Sequence, residues 1–134
     1  MTPHDFLHPR NWKAAHGYSN GVAASGRMVF CGGLIGWNAD QEFETDDFVE
    51  QVAQVLHNIV AVLECAGARP EHLVRLTWYV TDKTEYLANL RGLGRVYREI
   101  LGKHFPAMAL IQVVALVEDR AKVEIEATAV IPQE

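Results

Sequence analysis

Nine consecutive residues near the C-terminus, Lys122-Val123-Glu124-Ile125-Glu126-Ala127-Thr128-Ala129-Val130, alternate in character without a break. Val123, Ile125, Ala127 and Ala129 fall on one face and Glu124, Glu126 and Thr128 on the other, the period of two that marks a strand with one buried side. Two carboxylates therefore share one face of one strand. Carboxylates are costly to dehydrate, so that face either meets water or belongs to a site.

The remaining elements supply what such a strand needs. From about Asp46 to Ala66, Val49, Val52, Leu56, Ile59, Val60 and Leu63 recur at helical spacing, with Thr45 and the Asp46-Asp47 pair at the start and Gly67 at the end. Leu73 to Val80 reads as a strand rich in β-formers. Asp82 or Thr84 caps a second helix that carries Tyr86, Leu90, Leu93, Tyr97 and Ile100 on one side as far as Gly102, with Gly92 and Gly94 weakening it. Ala107 to Val117 reads as extended, and Glu118-Asp119-Arg120 turns it into the glutamate-bearing strand. Upstream, Tyr18–Ala23 and Arg27–Cys31 read as a hairpin turning at Ser25-Gly26, while residues 1 to 16 look irregular.

The order is β-β-α-β-α-β-β, an α+β class. With 134 residues, 49% of them hydrophobic, the expectation is a single domain over 1–134. Two amphipathic helices most simply cover one face of one sheet. The other face, apolar along 109 to 117 apart from Gln112, then calls for a partner, and self-association is the commonest remedy.

Twelve basic residues against seventeen acidic ones give a net charge of -5 without a basic cluster, so nucleic acid is not an expected partner. No apolar run approaches the roughly 20 residues that cross a bilayer, and the N-terminus has no signal pattern, so the expectation is a cytoplasmic protein without a membrane partner. Cys31 and Cys65 match no metal or disulfide spacing. His4 and His8 stand four apart, but in a Pro-punctuated segment lacking a carboxylate at a recognised distance, and no metal site is expected.

Gly17-Tyr18-Ser19, Phe30-Cys31-Gly32-Gly33, Asn58 through Gly67, Val74-Arg75-Leu76-Thr77 with Asp82, Phe105-Pro106-Ala107 and Val123-Glu124-Ile125-Glu126-Ala127 together resemble the RidA/YjgF/UK114 family over nearly the whole chain. The resemblance implies a chorismate-mutase-like fold, a mixed sheet with two helices on one face, assembled as a homotrimer with a small-molecule pocket in each subunit interface. It also implies hydrolysis of reactive enamines and imines made by pyridoxal-phosphate enzymes, releasing ammonia and a keto acid, with no cofactor or metal. One departure bears on substrate. Where the deaminating members carry an arginine that grips the substrate carboxylate, this chain has Met108, a pliable apolar side chain. Gly94 likewise stands where an Asn is expected, three residues before Tyr97.

By the same resemblance Glu124 is the catalytic carboxylate, orienting the hydrolytic water or relaying a proton, while Glu126 reads as a solvated strand residue. Cys31 and Gly32 match the pocket floor, although a small buried strand residue is the plainer identity for Cys31. Tyr18 either donates a hydrogen bond in the pocket or packs at an interface. Met108 makes one end of the pocket apolar, and Arg75 is the candidate replacement cation, against a plain reading as an outward-facing arginine. His104 reads as a pocket-rim residue or a polar connector. Three functions follow: a deaminase of a bulkier or aromatic-derived, aminomuconate-like imine; a non-catalytic trimer that binds a small metabolite; and a ribonuclease or translation inhibitor, which the acidic balance disfavours.

Overall fold

The computed structural model describes residues 3–133. The alternating run forms β6 (Val123–Pro132), with Val123, Ile125, Ala127 and Ala129 buried and Glu126 exposed. It lies inside a four-stranded sheet of order β3-β6-β4-β5, between β3 (Gly26–Ile35) and β4 (Leu73–Val80), antiparallel to both. β5 (Ala107–Gln112) runs parallel to β4 at the edge. A parallel neighbour needs a crossover connection, and α2 (Lys83–Ala88) with α3 (Leu90–Leu101) provides it. The sheet is therefore mixed.

α1 (Phe48–Cys65) starts where the Asp47 carboxylate accepts from Glu50 N at 3.0 Å. Its apolar stripe, Val52, Val55, Leu56, Ile59 and Leu63, is fully buried, and each such side chain contributes about 1.5–3 kcal/mol. Leu93, Tyr97 and Leu101 of α3 pack into the same core. Both helices lie on one face of the sheet. Across the ladders the other face carries Phe30 beside Thr128, Thr77 beside Glu126 and Tyr79 beside Glu124. That face is uncovered, and Phe30 is 68% exposed. Among the described residues no helix is long and apolar enough to cross a membrane.

Three elements differ from the sequence reading. The expected hairpin between Tyr18–Ala23 and Arg27–Cys31 does not form. Instead β2 (Gly21–Ala23) pairs with β1 (Asp5–Leu7), inside the segment read as irregular, and β3 pairs with β6. Gly26 explains the change: its φ of 147° and a hypothetical β-carbon only 2.0 Å from Ile131 O make it the close-packed first residue of β3, paired with Pro132 at the end of β6. The second helix breaks in two at Asn89, whose side-chain amide donates to Glu85 O at 2.7 Å and so satisfies a carbonyl left by the interrupted ladder. The extended run ends at Gln112, and Val114 and Val117 stand exposed in the loop that follows.

Candidate functional site

Two recesses flank the sheet. The acid recess, about 340 Å³, opens on the uncovered face between Gly33, Tyr79, Glu124, Glu126 and the loop residues Val113 and Leu116. Strand parity brings the acids here. Glu124 and Tyr79 are register partners, as are Glu126 and Thr77, so both carboxylates and the phenol point to one side. The Tyr79 hydroxyl donates to Glu126 Oε1 at 2.5 Å. That hydrogen bond, then desolvation and the negative charges of Glu126 and Glu124, hold the phenol above its ordinary value, so it stays a donor.

Glu124 is in a different state. It has no hydrogen-bond or ion-pair partner among the described residues. Its carboxylate lies against the backbone of Gly33, where a β-carbon would sit 2.2 Å from Oε2, closer than any real contact. The β3–β6 register shifts between Cys31 and Leu34, so Gly32-Gly33 forms the irregularity that makes this seat. One carboxylate is thus engaged and its neighbour is available as a proton acceptor.

The aromatic recess, about 480 Å³, lies on the helix side between α3 and the β4–β5 edge. Tyr18, Trp78, Tyr86, Tyr97, Phe105 and Met108 line it. Tyr97 stacks on Phe105 with centroids 5.2 Å apart, and Trp78 meets Tyr86 edge-on at 6.4 Å. The Tyr97 hydroxyl donates to His104 O at 2.6 Å, and burial raises its pKa well above that of a free phenol. Tyr18 is placed by its neighbour: Ser19 donates through Oγ to Phe105 O at 2.5 Å and through N to Pro106 O at 3.0 Å. Trp78 is only 6% exposed, and its Nε1 has no hydrogen-bond partner among the described residues.

The residues singled out from the sequence are thus divided. Tyr18 and Met108 share the aromatic recess, because Met108 is the register partner of Leu76 on the helix face. Glu124 belongs to the acid recess. Arg75 is exposed beside Ala107 and Thr128 and lines neither. Cys31 packs in the core at 5% exposure, and burial pushes its thiol up, away from the nucleophilic thiolate. Gly32 is exposed in the bulge and lines neither recess.

His104 lies inside the protein and not at a pocket rim. It is buried, with Nε2 bonded to Leu73 O at 2.7 Å and its ring 5.4 Å from that of Phe6. His4 reaches His72 O at 3.2 Å, and His8 reaches Trp12 O at 3.0 Å. Among the described residues no group of three or more His, Cys, Asp or Glu is placed to hold a metal. Tyr79, Gly33, Trp78 and Arg98 are among the recess residues that sequence reasoning did not assign to a site. Tyr79 carried a usable signal, since it shares parity with Thr77 on its strand, but only the β4–β6 register sets it against the glutamates.

A family model described as Endoribonuclease L-PSP matches residues 9–131. The chain is 37% identical over 124 residues to Protein DfrA of Myxococcus xanthus, covering 88% of each. Among solved structures, a protein of unknown function from Yersinia pestis, YyfB of the conserved Rid protein family, superposes with a TM-score of 0.86 at 33% identity over 96% of this chain and 98% of that one. Rv2704 of Mycobacterium tuberculosis, a member of the YjgF/YER057c/UK114 family, superposes with a TM-score of 0.64 at 33% identity over 86% and 87%.

Proposed function

From a chain that belongs to the Endoribonuclease L-PSP family, the family of the Rid and YjgF/YER057c/UK114 proteins, we propose a cytoplasmic hydrolase that deaminates reactive enamines and imines, with Glu124 as its base. The observation that carries this reading is the unengaged Glu124 carboxylate seated over Gly33, beside a second carboxylate already occupied by Tyr79.

The chemistry asks little of the protein. An enamine protonated at carbon gives an iminium ion, whose carbon is already electrophilic. Glu124 takes a proton from water as the oxygen bonds to that carbon, and the neutral nitrogen of the resulting carbinolamine is protonated in turn. The hydroxyl then loses its proton as its oxygen forms the carbonyl, and the C–N bond breaks with its electrons on nitrogen, leaving a ketone and ammonia. The substrate pocket in this reading is the aromatic recess, whose Met108 and five aromatic rings suit a bulkier or aromatic-derived imine.

Within one chain the two recesses open on opposite faces of the sheet, so the reading joins Glu124 of one copy to Tyr18 and Met108 of the next in a homotrimer. The exposed Met28, Phe30 and Ile111 support such an assembly. The unpaired thiols of Cys31 and Cys65 fit a reducing compartment. Ammonia release from freshly generated imines, with Glu124→Gln as control, tests the catalytic step. Equal rates for the two proteins on every substrate leave the second reading, a metabolite-binding trimer, which the uncharged Met108 favours. Sedimentation as a stable monomer removes the shared site in either case.

A further inference from the structure

We propose that Arg98 is the charge anchor of the aromatic recess and that, together with the Trp78 indole N–H, it selects flat, unsaturated carboxylates. Arg98 lines the recess with Trp78 and Met108, and among the described residues no Lys, other Arg or carboxylate lines it. It makes no ion pair or side-chain hydrogen bond among the described residues. Helical side chains lean toward the N-terminus over the residue one turn back, which for Arg98 is Gly94. A β-carbon there would lie 3.7 Å from Arg98 Nη1. Alanine would just touch the guanidinium, and anything larger would compete for its place. A glycine that weakens the interior of α3 therefore leaves room for the guanidinium beside it in the recess lining.

Trp78 adds a second, independent pointer. A buried indole N–H without an acceptor is costly, and buried donors in native proteins are as a rule paired. An acceptor oxygen on a bound molecule satisfies it. Tyr86, Tyr97 and Phe105 share the lining with the two donors, and their rings favour a flat ligand. Arg75, the cation the sequence suggested, lies on the opposite face of the sheet. With Met108 and the rings in the same lining, Arg98 and the Trp78 N–H meet the carboxylate, and the apolar body of the ligand packs against Met108 and the ring faces.

The inference rests on reading this recess as the substrate pocket, and binding tests it apart from turnover. Cinnamate and its neutral isostere cinnamamide are titrated by calorimetry against the full chain. Cinnamate should bind about tenfold or more tighter than the amide. Arg98→Gln should erase that preference while leaving amide binding intact, Arg98→Lys should restore part of it, and Arg95→Gln, on the exposed side of α3, should leave it unchanged. Trp78→Phe should weaken both ligands by a similar, smaller factor. The proposal is overturned if wild type binds acid and amide equally, if neither binds at millimolar concentration, or if Arg95→Gln loses as much as Arg98→Gln. An Arg98-dependent preference in a chain that releases no ammonia sinks the deaminase reading alone.

Discussion

The acid recess and the aromatic recess lie on opposite faces of one sheet, and their polar atoms are in opposite conditions. On the uncovered face a phenol and two carboxylates crowd together, and one carboxylate has no partner among the described residues. On the helix face the lining is rich in aromatic rings, and what lacks a partner among the described residues is a donor, the Trp78 N–H, along with the Arg98 cation. A surplus acceptor suits proton transfer, and a surplus donor beside a cation suits holding an anion. The comparison assigns chemistry to one face and selection to the other.

The largest effect that bears on this division is expected at Glu124. Glu124→Gln removes the base and keeps the shape, so ammonia release should fall by about 10²–10⁴-fold. Glu126→Gln alters a carboxylate already engaged by Tyr79 and should cost less than about tenfold. Parallel steady-state assays of the two variants decide the matter. Equal losses would mean that the carboxylates act as one unit and that the distinction between them is wrong.

Next in size is Gly33→Ala. The new methyl group takes the place of the Glu124 carboxylate, which is the far end of a flexible side chain and can swing aside. Stability should change little, with a melting midpoint within about 3 °C of wild type, while kcat/KM falls about 10–100-fold because the base has left its seat. A large loss of midpoint instead would show that Gly33 serves the sheet and not the site.

Much of this was legible in the chain, and what was not has a common cause. The parity of Val123 to Ala129 located the strand and its buried face, and the spacing from Val49 to Leu63 located α1. Both are local properties. The hairpin failed because Gly26 answers to Ile131, more than a hundred residues away, and not to its neighbours in sequence. The division of Met108 from Glu124 was hidden for the same reason. It depends on Met108 registering with Leu76 and Glu124 with Tyr79, and register is a long-range property that a one-residue slip reverses. The break at Asn89 had a local signal, an amide able to satisfy a carbonyl, outweighed by the helical spacing of Tyr86, Leu90 and Leu93.

The smallest expected effect separates both recesses from the buried histidine beyond them. Burial lowers the pKa of His104 below its ordinary value, and it lowers that of His72 as well, where Glu71 opposes it and Arg69 and His4 assist. The unfolded chain therefore takes up these protons first on acidification, and with more protons bound in the unfolded state stability must rise with pH. The contribution is complete above the unfolded value of about 6.5 and is lost as pH falls below it toward the folded values. The melting midpoint should drop by a few degrees between about pH 7.5 and 5.5. His104→Gln, whose amide can still reach Leu73 O, should flatten that drop, with His72 accounting for what remains. Glu124→Gln and Glu126→Gln should keep the wild-type slope. If the glutamate variants flatten it and His104→Gln does not, the acid recess governs stability as well as chemistry, and the two faces are not the separate devices described above.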